Sequence, residues 1–167
     1  MLTPYLIDPA AFASEKRLLE FSVALRSLDE RVWSHEYFAG RDAEISIRLK
    51  GGTDSLQRPF LDLEVKAGLS LQCQRCMKPV EADLDETARI VLFFDEGRLD
   101  EAMLSDEELE GMLCPKELDV RELAEDQILM AMPYAPRHEE CGNEMPAGIN
   151  QDKPNPFAVL AGLKRNN

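Results

Sequence analysis

The feature that most narrows the fold is a strict two-residue period in the first half of the chain. In AEISIRL, Ile45, Ile47 and Leu49 alternate with Glu44, Ser46 and Arg48. In PFLDLEVKA, Leu61, Leu63 and Val65 alternate with Asp62, Glu64 and Lys66. Strand side chains point to opposite faces in turn, so such a run buries one face and wets the other. GGTDS (Gly51–Ser55) lies between the two runs and reads as turn chemistry, which joins them as neighbouring antiparallel strands. Gly68 interrupts the second run, and LSLQC continues as a further strand that ends at Cys73. VEADLDETARIVLFF alternates again and closes on the apolar run Ile90–Phe94, which reads as a central or doubly covered strand. Upstream, RLLEFSVAL (Arg17–Leu25) is strand-like and PAAFASEKR (Pro9–Arg17) is a short helix or turn after a proline.

A period of 3.6 appears once with force, in LDVRELAEDQILMAM (Leu118–Met132). Leu123, Ile128, Ala131 and Met132 recur at helical intervals, and Val120, Ala124 and Met130 widen the stripe. Asp119 caps this helix and Pro133 stops it. Ser27 and Glu30 stand at capping-box spacing, which predicts a helix through LDERVWSHEYF. The acidic stretch DEGRLDEAMLSDEELEGML is poor in strand formers and reads as a long loop, with one helical turn near SDEELEGM where Ser105 and Glu108 repeat that spacing. Consecutive strands with tight turns and few helices make an α+β fold: an antiparallel sheet or small open barrel, with a few helices and an extended C-terminal tail. Residues 1–132 form the expected domain. Residues 133–167, with Pro133, Pro136, Pro146, Pro154 and Pro156, form a Pro-rich tail or strap packing on it.

With 167 residues, 44% hydrophobic and 31% charged, the chain can bury a core without disulfides. No apolar run approaches the roughly 18 residues of a membrane helix. The N-terminus lacks a basic segment followed by a long apolar one, so no secretory signal is expected. Four cysteines in such a chain suggest a cytoplasmic protein whose thiols stay reduced or bind metal. The net charge of −13 opposes nucleic acid as a partner of the whole surface. The charge is uneven, however. From Arg48 to Val80 six basic residues (Arg48, Lys50, Arg58, Lys66, Arg75, Lys78) face three acidic ones, whereas from Glu81 to Met145 five face twenty.

Chemistry-bearing residues are few. Cys73 and Cys76 form C-x2-C, and after a gap of sixty-one residues His138 and Cys141 form H-x2-C. Four ligands of this type would close a tetrahedral structural zinc site. The competing reading makes Cys73 a small buried hydrophobe at a strand end. Cys114 has no near partner and is expected to be structural or exposed. A redox C-x-x-C needs a following helix to activate its first thiol. Here Pro79 and another strand follow instead. There is no G-x-S-x-G, P-loop or G-x-G-x-x-G, and the carboxylates lie in solvated runs such as SDEELE, so no enzyme is expected. His35 reads as a helix-surface or partly buried residue.

Three stretches together, LSLQCQRCMKPVEADLDE, DVRELAEDQILMAMPYAPRHEEC and DKPNPFAVLAGLKR, resemble the bacterial family of the large ribosomal RNA subunit accumulation protein YceD. The resemblance covers most of the chain; residues 1–51 match only in general character. It implies a non-enzymatic accessory role in ribosome biogenesis, in the synthesis, processing or stability of large-subunit ribosomal RNA. Many relatives carry paired tail cysteines that look able to complete a metal site with the central C-x-x-C. This chain departs from that pattern, with only Cys141 and the nearby His138 in its tail, which leaves a Cys3His site or none.

Two mechanisms fit. In the first, the acidic region Asp95–Glu110 and the acidic helix make an adaptor for a basic protein such as a ribosome-assembly partner, by charge complementarity. In the second, Arg48, Lys50, Arg58, Lys66, Arg75 and Lys78 contact pre-ribosomal RNA directly. Phe157, Leu160 and Leu163 are candidate docking residues of the tail, on a partner or on their own domain. Neither a membrane nor a small-molecule substrate is expected.

Overall fold

In the computed structural model, which describes residues 5–141 and Phe157, the alternating runs become one five-stranded sheet. Its strands are β2 (Leu18–Ala24), β3 (Glu44–Thr53), β4 (Pro59–Gln72), β5 (Pro79–Phe93) and β6 (Glu110–Leu113), in that spatial order. The first four pair antiparallel as neighbours in sequence, and β6 returns parallel to β5. A two-stranded ribbon of β1 (Leu6–Ile7) and β7 (Leu118–Asp119) lies apart from this sheet. The helices are α1 (Pro9–Ser14), α2 (Glu30–Trp33), α3 (Glu96–Ser105) and α4 (Val120–Ala131). The expected α+β class holds, as a mostly antiparallel open sheet.

The period-two alternation decides the core. Ile45, Ile47 and Leu49 of β3 and Leu61, Leu63, Val65, Leu69 and Leu71 of β4 are buried on the inner face. Phe12 and Ala13 of α1 and Val120, Ala124 and Ile128 of α4 pack among them. Asp119 caps α4 through the Arg121 amide, as its position in the sequence implied. At the end of β5 the burial is continuous over Val91, Leu92 and Phe93, because a second cluster of Phe60, Val91 and Phe93 lies under Leu99 and Ala102 of α3 on the outer face. The apolar run Ile90–Phe94 is therefore covered on both sides, except that Phe94 is exposed.

Four local expectations are corrected. The pair Gly51–Gly52 belongs to the interior of β3, and the turn is made one step later, where Asp54 accepts from the amides of Leu56 and Arg58. These glycines serve close approach instead. A Cβ on Gly51 would stand 2.4 Å from the Phe12 carbonyl oxygen, and one on Gly52 would stand 2.4 Å from the Phe60 ring. Gly68 does not divide β4, which runs unbroken for 14 residues. Asp29, rather than Ser27, caps the short α2, and Ser27 ends a 3-10 turn. In the acidic stretch, α3 begins at the Asp95 cap and Ser105 is its last residue, so the expected loop is a helix followed by β6.

One consequence of the topology matters for function. β4 and β5 pair continuously from Phe60↔Val91 to Gln72↔Pro79. At ~3.4 Å per residue this hairpin is about 40 Å long. The α3–β6 unit sits at one end and the Cys73–Lys78 turn at the other. Beyond Lys66 β4 has no β3 partner. The 37–39 segment takes over there, through Ala39 N–H donating to Ser70 O and Gln72 N–H to Tyr37 O.

Candidate metal centre

The turn that joins β4 to β5 is closed by its own backbone. Cys73 N–H donates to Lys78 O and Met77 N–H to Cys73 O, both at 2.9 Å, while Met77 adopts the left-handed conformation at φ 63°. This tight turn places Cys73 at the buried end of β4 and Cys76 above it, half-buried. The chain leaves α4 at Met132 and passes to the same place, where Pro136 is buried and its carbonyl accepts from Gln74 N–H at 2.8 Å. His138 and Cys141 thus arrive over the cysteine turn, although sixty-one residues separate His138 from Cys76.

Among the described residues, the ligand atoms of Cys73, Cys76, His138 and Cys141 all lie within 4.8 Å of one another. Cys73 Sγ is 3.4 Å from Cys141 Sγ, and Cys76 Sγ is 3.4 Å from His138 Nδ1. A tetrahedral ion with Zn–S of about 2.3 Å and Zn–N of about 2.0 Å sets its sulfurs about 3.8 Å apart and sulfur and nitrogen about 3.6 Å apart. The two closest pairs lie within a few tenths of an ångström of that frame, and the set as a whole, within 4.8 Å, needs side-chain shifts of up to about an ångström to close on an ion.

Two further contacts suit the same task. His138 Nε2–H donates to the Pro79 carbonyl at 2.9 Å, which turns Nδ1 toward the thiols. An Arg75 guanidinium nitrogen donates to the Cys141 carbonyl, tying the end of the ligand segment to the turn. The sequence pointed to Arg75 as a contact for RNA or a partner; in the structure it is exposed, with its guanidinium bonded to the site's own backbone. The Pro79 carbonyl carries no sequence signal, since any residue would supply one there.

The thiols of the cluster are unequal. Burial pushes the Cys73 thiol up. The backbone amides of Cys76, Arg75 and His138, together with the Cys141 thiol, outweigh burial and bring it down to about 5. Cys141 is pushed up instead, by burial, by its contacts with Cys73 and Cys76, and by their charge. Several thiolates crowded together oppose one another, and a divalent cation among them removes the opposition. Cys114 stands outside the cluster, half-buried against the main core, its thiol raised chiefly by burial. Among the described residues, the side-chain contacts of His35 are local: it accepts from Tyr37 N–H and meets the Tyr37 ring edge-on.

Arg48, Lys50 and Lys66 share the outer face of the sheet, and the other three basic residues fall in the turns at the two ends of β4. Arg58 and Arg75 lie at opposite ends of β4. Arg58 is held by Asp54 at 2.7 Å, Arg48 sits between Glu20 and Glu64, and Lys66 pairs with Glu64 and Asp85. Lys50 and Lys78 make no ion pair among the described residues. The outer face of the sheet carries an open groove of about 610 Å³ lined by Arg48, Lys50, Asp62, Glu64, Thr87 and Arg89, in which both signs alternate. Leu160 and Leu163 lie outside the described residues; Phe157 is exposed.

Comparison with known proteins bears on residues 61–164, which match the sequence profile of the large ribosomal RNA subunit accumulation protein YceD. The matched span begins in β4 and takes in the cysteine turn, α3, α4 and both halves of the Cys3His cluster. The large ribosomal RNA subunit accumulation protein YceD of Haemophilus influenzae is 31% identical over 111 residues, covering 61% of this chain and 63% of that protein. The match therefore spans somewhat less than two thirds of the relative's length. No solved structure matches.

Proposed function

The chain belongs to the family of the large ribosomal RNA subunit accumulation protein YceD, and on that premise we propose that it serves large-subunit ribosomal RNA accumulation as a non-catalytic adaptor in the cytoplasm. Its partner is a basic protein of ribosome assembly, docked at the α3 end of the molecule. The observation that carries this reading is the surface of the 95–110 segment. It holds eight carboxylates and one arginine, and Leu104 at 87% exposure and Met103 at 46% stand among them. None of the residues of α3 is buried, so the helix spends little of its surface on the core. Exposed apolar side chains within a field of one sign suit a basic amphipathic partner, and the field speeds the encounter.

At the other end of the hairpin, Cys73, Cys76, His138 and Cys141 hold a structural zinc ion in this reading. When bound, the ion supplies four strong bonds between the β4–β5 turn and the segment after α4. All four tetrahedral positions are protein donors, which leaves none open for chemistry on a substrate. Among the described residues no helix is long and apolar enough to cross a membrane.

Direct RNA contact through Arg48–Lys78 is the competing mechanism. It finds less support, because Arg48, Arg58 and Lys66 each already face a carboxylate of their own chain. Crosslinking in cells separates the two. The adaptor reading expects a basic protein on the chain, lost when Asp100, Glu101, Glu107 and Glu108 are changed to their amides. RNA attached instead, with no effect of those substitutions, overturns it.

A further inference from the structure

We infer that metal occupancy acts as a latch on the 133–141 segment and leaves the domain's fold untouched. The inference rests on the zinc reading above and concerns what the ion controls. Its basis is where the four ligands sit relative to everything else that holds the molecule together.

Both halves of the site are carried by elements that are stable without it. Cys73 is fully buried at the end of β4, but none of the four ligands belongs to the main core cluster, which is built from α1, α2, β3, β4, β5 and α4 and their connections. The cysteine turn is closed by Cys73 N–H to Lys78 O and Met77 N–H to Cys73 O, with Gln72 Nε2 donating to Met77 O. It also terminates a long, continuously paired hairpin. On the other side, α4 is anchored by Val120, Ala124 and Ile128, all fully buried, and by Glu125.

The segment that follows α4 is different. From Pro133 to Cys141 only Pro136 is buried, and Tyr134 is 93% exposed. Its one backbone–backbone bond to the body, among the described residues, is Gln74 N–H to Pro136 O. The remaining polar ties are His138 to Pro79 O, Arg75 to Cys141 O and the contacts of the thiols themselves. Nearly all of the attachment is therefore concentrated at the ligands. A segment with so few buried groups opens locally at low cost once its strongest ties are removed. Structural zinc sites deliver their binding free energy to whatever structure brings the ligands together. Here that structure is the docking of one short segment onto a turn that is already formed.

Arg137 reports the state of the latch. It is exposed, and the bond after it adjoins the ligand His138. A protease needs several residues on either side of the cut bond in extended form, which the docked segment denies. The experiment uses the full chain, loaded with zinc and then treated with a chelator. Elemental analysis and binding of cobalt(II), read by its visible tetrahedral thiolate bands, first establish one ion per chain. Trypsin cleavage after Arg137, followed by mass spectrometry, is then expected to accelerate at least tenfold on chelation. Far-UV circular dichroism and hydrogen-exchange protection of β3 and β4 stay unchanged. Cys141→Ser, which removes a ligand thiol but keeps the backbone carbonyl that Arg75 holds and leaves the residues beside the cut bond unchanged, gives the fast cleavage with zinc present. Two results overturn the latch while leaving the metal reading standing: cleavage that ignores the chelator, or chelation that unfolds the sheet as well. A chain that takes up neither zinc nor cobalt removes both.

Discussion

Gly51→Ala isolates the closest contact in the fold. Gly51 lies in β3, and a methyl group there would meet the Phe12 carbonyl oxygen at 2.4 Å, Ala13 Cα at 2.8 Å and the Phe12 carbonyl carbon at 2.9 Å. All three atoms are backbone of α1, so no side chain can rotate away. Ordinary carbon–carbon and carbon–oxygen contacts need roughly 3.5 Å, so α1 must retreat by about an ångström. That retreat loosens Phe12 and Ala13, both buried in the main core. Overpacking of this kind costs about 1–3 kcal/mol. The gain from replacing a strand glycine, about 0.5–1 kcal/mol, offsets part of it. A net loss of about 1 kcal/mol follows, or a Tm lower by about 2–4 °C for a chain of this size. Gly68→Ala is the matched control. Gly68 is also inside a strand, but its Cβ would meet only the Asp83 carboxylate at 3.9 Å, so the variant should be neutral or slightly stabilised. Urea unfolding followed by far-UV circular dichroism measures both. If the two variants agree within about 0.5 kcal/mol, the argument that α1 docks on bare backbone at Gly51 is wrong.

Three more outcomes are expected. Glu125 is buried and its carboxylate accepts from Asp29 N–H at 2.9 Å and from Arg31 at 3.3 Å, so Glu125→Ala should cost about 1–3 kcal/mol in the same assay, with Glu125→Gln milder because it still accepts from the amide. In the metal-free chain Cys73 titrates near 5 instead of the ordinary thiol value of about 8.5. A depressed acid stabilises the fold above its unfolded value and ceases to do so as pH falls through the folded one, so this contribution fades from about pH 8.5 down to about pH 5; ultraviolet thiolate absorbance of metal-free protein should show one step near pH 5, absent in Cys73→Ser. Met77 holds φ 63° at the exposed tip of the cysteine turn, so Met77→Gly should be tolerated with unchanged cobalt stoichiometry, whereas the β-branched Met77→Val should lower stability by about 1 kcal/mol or more.

The fold was legible wherever one periodicity dominated. Ile45–Leu49 and Leu61–Val65 named their strands and their buried face, because a strand that is wet on one side must alternate. Leu123 and Ile128 named α4 in the same way. The misreadings share a cause. Gly51, Gly52 and Gly68 look alike in sequence, yet the first two mark close approach of a helix backbone and an aromatic ring, and the third merely sits on a wet face. Which of these applies depends on residues far along the chain. α3 escaped because it carries almost no stripe: Leu99 and Ala102 face the sheet, and Met103 and Leu104 do not. Its signals were the Asp95 cap and a composition rich in helix formers, both easy to mistake for an acidic loop.

The candidate site divides along the same line. Ligand type and pair spacing are local, and they singled out Cys73, Cys76, His138 and Cys141 and set Cys114 aside. What spacing cannot supply is a reason for two pairs sixty-one residues apart to meet. That reason lies in the length of the β4–β5 hairpin, which puts the cysteine turn at its far end, and in α4, which lies back across the inner face and stops at Pro133. The six basic residues show the converse. Their clustering in sequence was real, but β4 spreads Arg58 and Arg75 about 40 Å apart and pleating sets Arg48 and Lys66 beside carboxylates. A run of charge in an alternating strand is therefore weak evidence for a charged patch, since neighbouring strands supply the opposite sign across the ladder. The acidic 95–110 segment escapes this cancellation because it leaves the five-stranded sheet for most of its length. That is the physical ground on which the proposed partner is assigned to α3, at the end of the hairpin away from the proposed metal site.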